Sequence, residues 1–242
     1  MGAKKVILFK KLILLGRPAS GKSEFIDFMK KLSDARRAED FHIGAIAELD
    51  DFLWLWEKFQ EDDLWEKAIG KRWYSKRAEH GYVITDGSIL DYCLARFGNE
   101  FEKRTQDHKT TTFIEFARGK GDGGYQYALN KLSEDVLKDA AVLFIFTSYE
   151  EATRRNGARF QEKLKHSVLA HKVPEEDMIR FGKEIDWPEI TNNAPGGYLK
   201  VRNFKLPFIT MNNEPELKDQ EGLSKRYKNA LHQLAKLYGE GK

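Results

Sequence analysis

Cysteine is almost absent from this sequence, with Cys93 the only one in 242 residues. A lone thiol excludes an intramolecular disulfide, and it argues against a thiolate zinc site because such sites need several sulfur ligands. We expect Cys93 to be a small buried hydrophobic residue in a reducing compartment. The six histidines show no spacing typical of metal ligands either.

Long apolar runs are missing as well. The one conspicuous run, residues 6–15, is interrupted by Lys10 and Lys11. Such a run suits neither the apolar region of a signal peptide nor a membrane span. We therefore expect a cytoplasmic protein with no membrane partner.

Charge of one sign is not in excess. The 41 basic and 38 acidic residues give a formal net charge of +3, so the overall field does not favour nucleic acid as a partner. Any binding of anions has to be local.

Strands that alternate with helices are the main pattern along the chain. A short apolar run at residues 12–15 predicts a strand buried on both faces, and helical spacing follows at residues 23–32. Further strands are predicted at residues 42–49, 82–85, 112–116, 141–147 and 208–211, and a final helix at 221–237. This alternation indicates one α/β domain over residues 1–242, built around a parallel sheet.

Two segments interrupt this pattern and are interpreted as insertions. Residues 52–80 are charged and aromatic, and we expect a pair of helices over 52–77 that contributes to an acceptor-binding surface. Residues 154–187 are first basic and then acidic, and could form a lid of helices and loops.

The residues after the first predicted strand match the phosphate-binding consensus G-x-x-x-x-G-K-[ST] in full: Gly16, Arg17, Pro18, Ala19, Ser20, Gly21, Lys22 and Ser23. Glycines let backbone N–H groups surround a phosphate, and the following helix presents its positive N-terminal end to the anion. Lys22 would reach the β- and γ-phosphate oxygens, and the Ser23 hydroxyl would bind Mg²⁺. The motif predicts a nucleoside triphosphate ligand, Mg·ATP.

With this loop the sequence resembles the nucleoside and nucleotide kinase-like group of P-loop proteins, which includes adenylate kinase, uridine kinase and phosphoribulokinase. The resemblance covers residues 12–52, 113–159 and 208–217. It implies a three-layer α/β fold whose five-stranded parallel sheet, of order 2-3-1-4-5, carries ATP and Mg²⁺ at the carboxyl ends of its strands. The N-K-x-D motif typical of GTPases is absent from the sequence, which favours ATP.

Asp50-Asp51-Phe52 resembles the D-x-F motif of uridine kinase-like enzymes, in which the first aspartate faces the acceptor hydroxyl. The resemblance implies that Asp50 acts as a base or positioning group for the attacking alcohol. Leu53 departs from the residue usual at the next place. Alternatively, Asp50 caps a helix that begins near Phe52.

Two acidic residues compete for the metal position. Glu115 lies in the run 113–116, which resembles the second strand of the family, where an acidic residue holds Mg²⁺ through water. Asp86 lies in a D-G pair that resembles adenylate kinase. Only one of them need play this role, and we favour Glu115; a salt bridge or a turn cap is the alternative for either.

Basic and amide side chains follow the last two predicted strands. By the resemblance, Arg154, Arg155 and Arg159 would form a lid over the transferring phosphate, unless they are a solvated helix face. Asn212 and Asn213 would contact adenine, although asparagines are common in turns without a ligand. Residues 118–124 could form a second anion-contacting loop or a mobile surface loop.

Together these features predict a small-molecule kinase that transfers the γ-phosphoryl group of ATP to a hydroxyl or phosphate acceptor. The tryptophans of the first insertion could stack on a planar acceptor, but tryptophans also pack in cores. A non-kinase NTPase or nucleotide-dependent switch is a second hypothesis. A polynucleotide-end kinase is a third, against which the near-neutral charge argues.

Overall fold

The computed structural model describes residues 7–104, 107, 109–165 and 171–241. Its strands are β1 (Lys11–Leu15), β2 (Ala45–Asp50), β3 (Ser75–Ala78), β4 (Gly81–Ile84), β5 (Thr110–Phe116), β6 (Ala140–Phe146), β7 (Gly196–Val201) and β8 (Phe204–Asn212). Its α-helices are α1 (Lys22–Lys30), α2 (Asp34–Phe41), α3 (Asp51–Ile69), α4 (Ser88–Glu102), α5 (Gly124–Lys131), α6 (Glu134–Leu137), α7 (Tyr149–Leu164), α8 (Glu175–Met178), α9 (Trp187–Ile190) and α10 (Gln220–Glu240). A 3₁₀ turn (Lys120–Asp122) and a π turn (Ile179–Lys183) complete the elements.

The main sheet has the order β2-β5-β1-β6-β8-β7. The first five of these strands are parallel, and β7 pairs antiparallel with β8 at one edge. When the parallel strands alone are numbered along the chain, their order is 2-3-1-4-5. This order confirms the predicted sheet, to which the edge strand β7 is an unpredicted addition.

Helices cover both faces of the sheet. Side chains alternate along β1, so Leu12 and Leu14 pack in the core beneath α1 and α10, while Ile13 and Leu15 pack in the core beneath α4 and α5. All five residues of β1 are buried, as expected for a central parallel strand. The three-layer architecture is thereby confirmed, and it places the carboxyl ends of the parallel strands at one edge.

The first insertion differs from the predicted pair of helices. It consists of one helix, α3, followed by a hairpin of β3 and β4 that forms a separate two-stranded sheet. The chain reverses because the Asp62 carboxylate accepts hydrogen bonds from the backbone N–H groups of Trp73, Tyr74 and Ser75 at 2.7–2.9 Å. The strand predicted at 82–85 therefore exists, as β4, but lies outside the main sheet.

The second insertion begins inside α7, which runs on to Leu164. Residues 166–170 lie outside the described residues, and α8, the π turn and α9 follow. Cys93 is fully buried on α4, as expected, and burial raises the pKa of its thiol well above the ordinary value. No helix within the described part of the chain is long and apolar enough to span a bilayer.

Candidate active site

The predicted phosphate-binding loop joins β1 to α1. Gly16 and Gly21 have φ angles of 148° and 104°, which side chains with a Cβ rarely adopt. A Cβ atom at Gly16 would lie 2.5 Å from the Ile145 carbonyl oxygen, and one at Gly21 would lie 2.4 Å from Asn213 Nδ2. The loop therefore requires glycine at both positions, both for its conformation and for its close packing against the strand ends.

Lys22 lies in the concave side of this loop. Its Nζ donates to the carbonyl oxygens of Gly16 at 3.0 Å and Arg17 at 3.1 Å, and lies 3.8 Å from Glu115 Oε1. No side chain caps the start of α1, and Ser20 Oγ is buried without a hydrogen-bond partner among the described residues. Free donors at a helix N-terminus beside an ammonium group fit a phosphate chain. Ser23 is the next residue of α1, and its side chain is exposed.

The framework of the loop comes from residues far away in sequence. The Asn213 side chain donates to the Ser20 carbonyl at 2.8 Å and accepts from Arg226 at 2.8 Å. The Arg17 side chain points away from the phosphate position, because it donates to the carbonyls of Gly182 at 2.6 Å and Thr147 at 2.8 Å. Arg17 and Asn213 thus support the loop, and neither offers its side chain freely to a nucleotide.

Asp50 and Glu115 are opposite each other on the neighbouring strands β2 and β5. Burial raises the pKa of Glu115 to about 7, against the opposing effect of Lys22. Burial also raises the pKa of Asp50, against the N–H group of Phe52, which donates to Asp50 Oδ1 at 2.9 Å. Asp50 therefore caps α3 and also faces the cavity beside Lys22. The helix cap is thus observed, and the role of Asp50 toward an acceptor stays a prediction.

Asp51 is a site residue that the sequence did not reveal. It is buried at the start of α3, with Oδ2 3.4 Å from the Arg118 guanidinium. Arg118 also donates to the carbonyls of Ala117 at 2.7 Å and Leu90 at 2.6 Å. Burial raises the pKa of Asp51 to about 7 despite this cation. The only signal in the sequence was the position of Asp51 next to Asp50.

A cavity of about 260 Å³ opens beside the loop. At one side it is lined by Pro18, Ala19, Lys22, Ser23, Asp50, Asp51, Glu115 and Arg118. The other walls are mostly apolar and come from α3, the β3–β4 hairpin, α7 and residues 171–181. The cavity therefore joins the phosphate-binding loop to a chamber of the size of a small organic molecule.

Aromatic rings form a large part of that chamber. The His171 ring stacks on Trp56 with 4.5 Å between ring centroids and lies 5.9 Å from Phe52, while Tyr82 meets Trp56 at 5.4 Å. Trp54 instead packs in the core against Phe97. Trp65 and Trp73 are exposed, so of the tryptophans in the first insertion Trp56 is the one that lines the cavity.

The three lid arginines have different environments. Arg154 is exposed and pairs with Glu151 at 2.6 Å and Glu216 at 2.5 Å. Arg155 is buried, pairs with Glu151 at 2.7 Å and donates to the Asn213 carbonyl at 2.7 Å. Arg159 lines the cavity and forms no hydrogen bond or ion pair with any described residue. Of the three arginines, Arg159 is therefore the one whose side chain lines the cavity.

Asp86 lies outside this arrangement. It follows β4 in the hairpin, is exposed, and accepts a hydrogen bond from Ser88 N at 2.9 Å where α4 begins. It does not line the cavity, so Glu115 is the better placed of the two metal candidates. Asn212 is also exposed, and its side chain accepts from Glu214 N at 3.1 Å.

The loop at 118–124 is tied to neighbouring segments, and Arg118 at its start lines the cavity; contact of this loop with a bound anion stays a prediction. The carboxylate of Asp186 accepts from Tyr125 N at 2.7 Å and Gln126 N at 2.9 Å, so an internal anion already occupies the start of α5. Gly119 packs so tightly that a Cβ atom there would lie 1.7 Å from the Arg180 carbonyl oxygen. The loop is a packed structural element.

No protein-family model and no curated protein matches the sequence. Among solved structures, Kti12 from Chaetomium thermophilum in complex with ADP-AlF3 is 11% identical over 94% of this chain and 98% of that one, with a TM-score of 0.47. TT1252 from Thermus thermophilus is 14% identical over 96% and 99% of the two chains, with a TM-score of 0.45. Shikimate kinase from Acinetobacter baumannii in complex with shikimate is 11% identical over 93% and 94%, with a TM-score of 0.42.

The fold itself can be assigned from the features of this chain. A glycine loop with a buried lysine joins the central strand to its helix. The parallel strands have the order 2-3-1-4-5, with paired carboxylates at the ends of β2 and β5. The chain has a three-layer α/β fold of the P-loop type.

Proposed function

We propose that this protein is an ATP-dependent small-molecule kinase that transfers the γ-phosphoryl group to a hydroxyl or phosphate acceptor. The observation that supports the proposal is the cavity, whose mostly apolar chamber adjoins Lys22 and the carboxylates Asp50 and Glu115. A protein that only hydrolyses ATP has no need of such a chamber.

The chain supplies the groups that phosphoryl transfer requires. Lys22 would move from its loop carbonyls onto the β- and γ-phosphate oxygens. Asp50 would orient an attacking hydroxyl and accept its proton, a role that suits a carboxylate whose pKa is raised by burial. The acceptor oxygen forms its bond to the γ-phosphorus while the bond to the β–γ bridging oxygen breaks, and ADP leaves. Arg159 would neutralise the transferring group.

The residues present also fit Mg²⁺ that arrives with the triphosphate. No group of three or more His, Cys, Asp or Glu side chains in the described ranges is arranged to hold a metal alone. Mg²⁺ commonly binds through one or two protein oxygens together with phosphates and water. The Ser23 hydroxyl and Glu115 provide that donor set beside Lys22, and the bound ion would neutralise charge between the β- and γ-phosphates.

Two alternatives stay open to experiment, the NTPase or nucleotide switch and the polynucleotide-end kinase. The mostly apolar chamber walls argue against a polynucleotide, which needs basic surface along its backbone. The proposed use of ATP as a substrate and the single buried cysteine both agree with a cytoplasmic protein.

The proposal is tested by incubating the protein with Mg·ATP and a broad library of hydroxyl- and phosphate-bearing metabolites, with products identified by mass spectrometry. We expect at least one compound to gain a phosphoryl group in proportion to the ADP formed. Steady ATP hydrolysis without a phosphorylated product would favour the NTPase or nucleotide switch. Phosphorylation confined to oligonucleotide ends would favour the polynucleotide-end kinase.

A further inference from the structure

Asp51 is a cavity carboxylate that the proposed phosphoryl transfer does not use. It lines the cavity at the start of α3, and its side chain is 10% exposed. Its Oδ2 lies 3.4 Å from the Arg118 guanidinium, whereas Oδ1 forms no hydrogen bond with a described residue and is not sealed by the protein. A carboxylate oxygen with so little access to water gains from a hydrogen-bond donor on a bound ligand. The open oxygen of Asp51 therefore indicates a donor that arrives with the acceptor.

Arg118 holds Asp51 in position. Its side chain is 1% exposed, and its guanidinium is fixed by the carbonyls of Ala117 at 2.7 Å and Leu90 at 2.6 Å. One oxygen of Asp51 is thus directed toward a cation that cannot move, and the other is presented to the cavity in one place. A binding group that is held in this way by a second side chain is suited to select between ligands.

Asp50 presents a second oxygen of the same kind. Its Oδ1 accepts from Phe52 N at 2.9 Å, and its Oδ2 forms no hydrogen bond with a described residue. Both aspartates line the cavity, and burial together with the nearby charge of Asp50 raises the pKa of Asp51. An attacking hydroxyl has a single hydrogen, which the proposed function assigns to Asp50. Asp51 is therefore matched by a different donor on the same acceptor.

The other charged groups that line the cavity are consistent with such a ligand. Asp177 on α8 offers no open oxygen of this kind, because Oδ2 accepts from Ile84 N at 3.2 Å and Oδ1 is fully buried. Arg159 and Lys172 line the same cavity. An anionic group elsewhere on the acceptor is therefore compatible with the site, and the two open carboxylate oxygens concern only its donors.

Resting on the proposed function, we propose that Asp51 determines acceptor specificity, and that the acceptor carries a second hydrogen-bond donor beside the attacking hydroxyl, as a vicinal diol or an amino alcohol does. The attacking hydroxyl faces Asp50, and the neighbouring O–H or N–H group donates to Asp51 Oδ1. Asp51 is thus a binding residue for the acceptor and takes no part in proton transfer. Arg118 acts through Asp51 as a positioning residue.

The test begins with the compounds that gain a phosphoryl group from Mg·ATP in the metabolite library. Each is paired with an analogue that lacks only the second donor, a vicinal diol with its monodeoxy form or an amino alcohol with its deamino form. Wild-type protein and Asp51→Asn are compared on both members of a pair. Asparagine keeps an oxygen for Arg118 and places an amide N–H group where the open oxygen was. Glu57→Gln is the matched control, since Glu57 lies on the same helix, pairs with Arg96 at 2.7 Å and does not line the cavity.

We expect the best acceptor to carry the second donor, and the loss of that donor to raise the wild-type acceptor KM about 10- to 100-fold. Asp51→Asn should raise the KM of the full acceptor by a similar factor, with a smaller change in kcat. It should add little on the analogue, because both changes remove the same hydrogen bond. ATP affinity and the Mg²⁺ requirement should stay at the wild-type values. Glu57→Gln should leave all of these quantities unchanged.

A best acceptor that is phosphorylated on a phosphate, or on a hydroxyl without a neighbouring donor, would overturn this inference while leaving the kinase proposal in place. Equal effects of Asp51→Asn on the acceptor and its analogue would do the same, since a purely structural ion pair predicts them. A shifted Mg²⁺ requirement would place Asp51 on the metal side and overturn it too. If Asp51→Asn does not fold, the wild-type KM values for the paired compounds decide, and equal values overturn the inference. ATP hydrolysis without any phosphorylated compound would overturn both proposals, so the two failures are distinguishable.

Discussion

At the scale of single residues, Lys22 carries the central prediction. Its ammonium group is bonded to two loop carbonyls and lies near Glu115, so it stabilises the loop modestly and is free to move onto phosphate. Lys22→Ala should weaken triphosphate binding strongly and abolish turnover, with the fold intact. Calorimetry with a non-hydrolysable ATP analogue checks binding, and thermal unfolding checks the fold.

Lys30 provides the matched control for this substitution. It lies on the same helix, is exposed and pairs with Glu48 at 2.7 Å, so Lys30→Ala removes the same charge away from the loop. Its nucleotide affinity should stay at the wild-type level. Wild-type affinity and turnover in folded Lys22→Ala would refute the assignment of the loop.

Asp50 and Glu115 lie opposite each other, yet we expect their substitutions to change different properties of the enzyme, namely turnover and the Mg²⁺ requirement. Asp50→Asn should lower turnover by about 10²–10⁴-fold and leave ATP binding nearly intact, because the carboxylate acts on the acceptor. Glu115→Gln should raise the Mg²⁺ concentration needed for half-maximal activity, because Glu115 would hold the ion beside the phosphates. A metal titration of turnover separates the two phenotypes.

Asp86→Asn is the control for the metal titration, since Asp86 is exposed after β4 and accepts a hydrogen bond from Ser88 N, away from the cavity. Its Mg²⁺ requirement should match the wild type. A shifted requirement in Asp86→Asn with none in Glu115→Gln would transfer the metal role to Asp86.

Asp177 should also make the unfolding free energy depend on pH. Burial raises its pKa to about 6, opposed by the N–H group of Ile84 and by Arg180. Because the folded-state pKa lies above the unfolded value, the stability linked to the protonated form is fully present below about pH 4 and is lost as pH rises through about 6. The loss is at most roughly 3 kcal/mol, at about 1.4 kcal/mol per pKa unit.

The variant Asp177→Asn isolates this effect because it resembles the protonated side chain at every pH. Its melting temperature relative to the wild type should rise between about pH 4 and pH 7 and then level off. Thermal unfolding in buffers of constant ionic strength measures this, with Glu176→Gln as the control. If the melting temperatures of Asp177→Asn and the wild type change in parallel with pH, the pKa of Asp177 is not raised in the folded protein.

At the scale of elements, α7 is hydrogen-bonded to the end of the sheet at its beginning. Ser148, just before the helix, donates its hydroxyl to Glu214 at 2.7 Å, and Arg155 donates to the Asn213 carbonyl. Farther along, Arg159 faces the cavity without a protein partner among the described residues. The helix is therefore anchored to the sheet at its beginning, whereas its later turns contact residues next to the cavity: Asn156 bonds to Val173 in both directions at 2.8 and 3.2 Å, and the buried Phe160 packs on His80. A response to nucleotide would start at Arg159.

We expect a non-hydrolysable ATP analogue to slow amide hydrogen exchange in residues 156–165 and to change residues 149–155 little, because a basic lid orders around phosphate. Arg159→Ala should lower kcat by about 10²–10³-fold, with ATP affinity nearly unchanged. Arg154→Ala, which removes an exposed ion pair with Glu216, should change kcat by no more than about 2-fold. Identical exchange with and without the analogue would count against a lid.

At the scale of the whole molecule, the sequence predicted what depends on neighbouring residues and missed what depends on distant ones. The run of β1, the glycine loop and the start of α1 form a local pattern, and the apolar parallel strands follow from their burial on both faces. The Asp51–Arg118 pair joins residues 67 positions apart. Likewise, the hairpin after α3 depends on Asp62, which gives no local turn signal because its partners lie 11–13 residues away. Such contacts depend on the tertiary arrangement and leave no signal in the local sequence.

Asn213 is the residue where the parts of the molecule meet. It directly follows β8, next to the glycine loop, and its side chain donates to the Ser20 carbonyl. Its own carbonyl accepts from Arg155 of α7, and its side-chain oxygen accepts from Arg226 of α10. One buried amide thus joins the sheet, the phosphate loop, the proposed lid and the last helix. Its substitution should affect stability and nucleotide binding together.

Asn213→Ala should destabilise the protein by about 1–3 kcal/mol, because it leaves a buried loop carbonyl and a guanidinium short of partners. It should also weaken ATP binding, since the Ser20 carbonyl loses the shorter of its two hydrogen bonds and keeps the one from the Thr147 hydroxyl at 3.2 Å. Asn212→Ala is the matched control: Asn212 is exposed and accepts only from Glu214 N, so its melting temperature should stay within about 2 °C of the wild type. If Asn212→Ala weakens ATP binding at unchanged stability, Asn212 contacts the base directly. If Asn213→Ala leaves both stability and affinity unchanged, the loop is positioned by Thr147 and Arg17 alone, and the strand end has no part in holding the phosphate site.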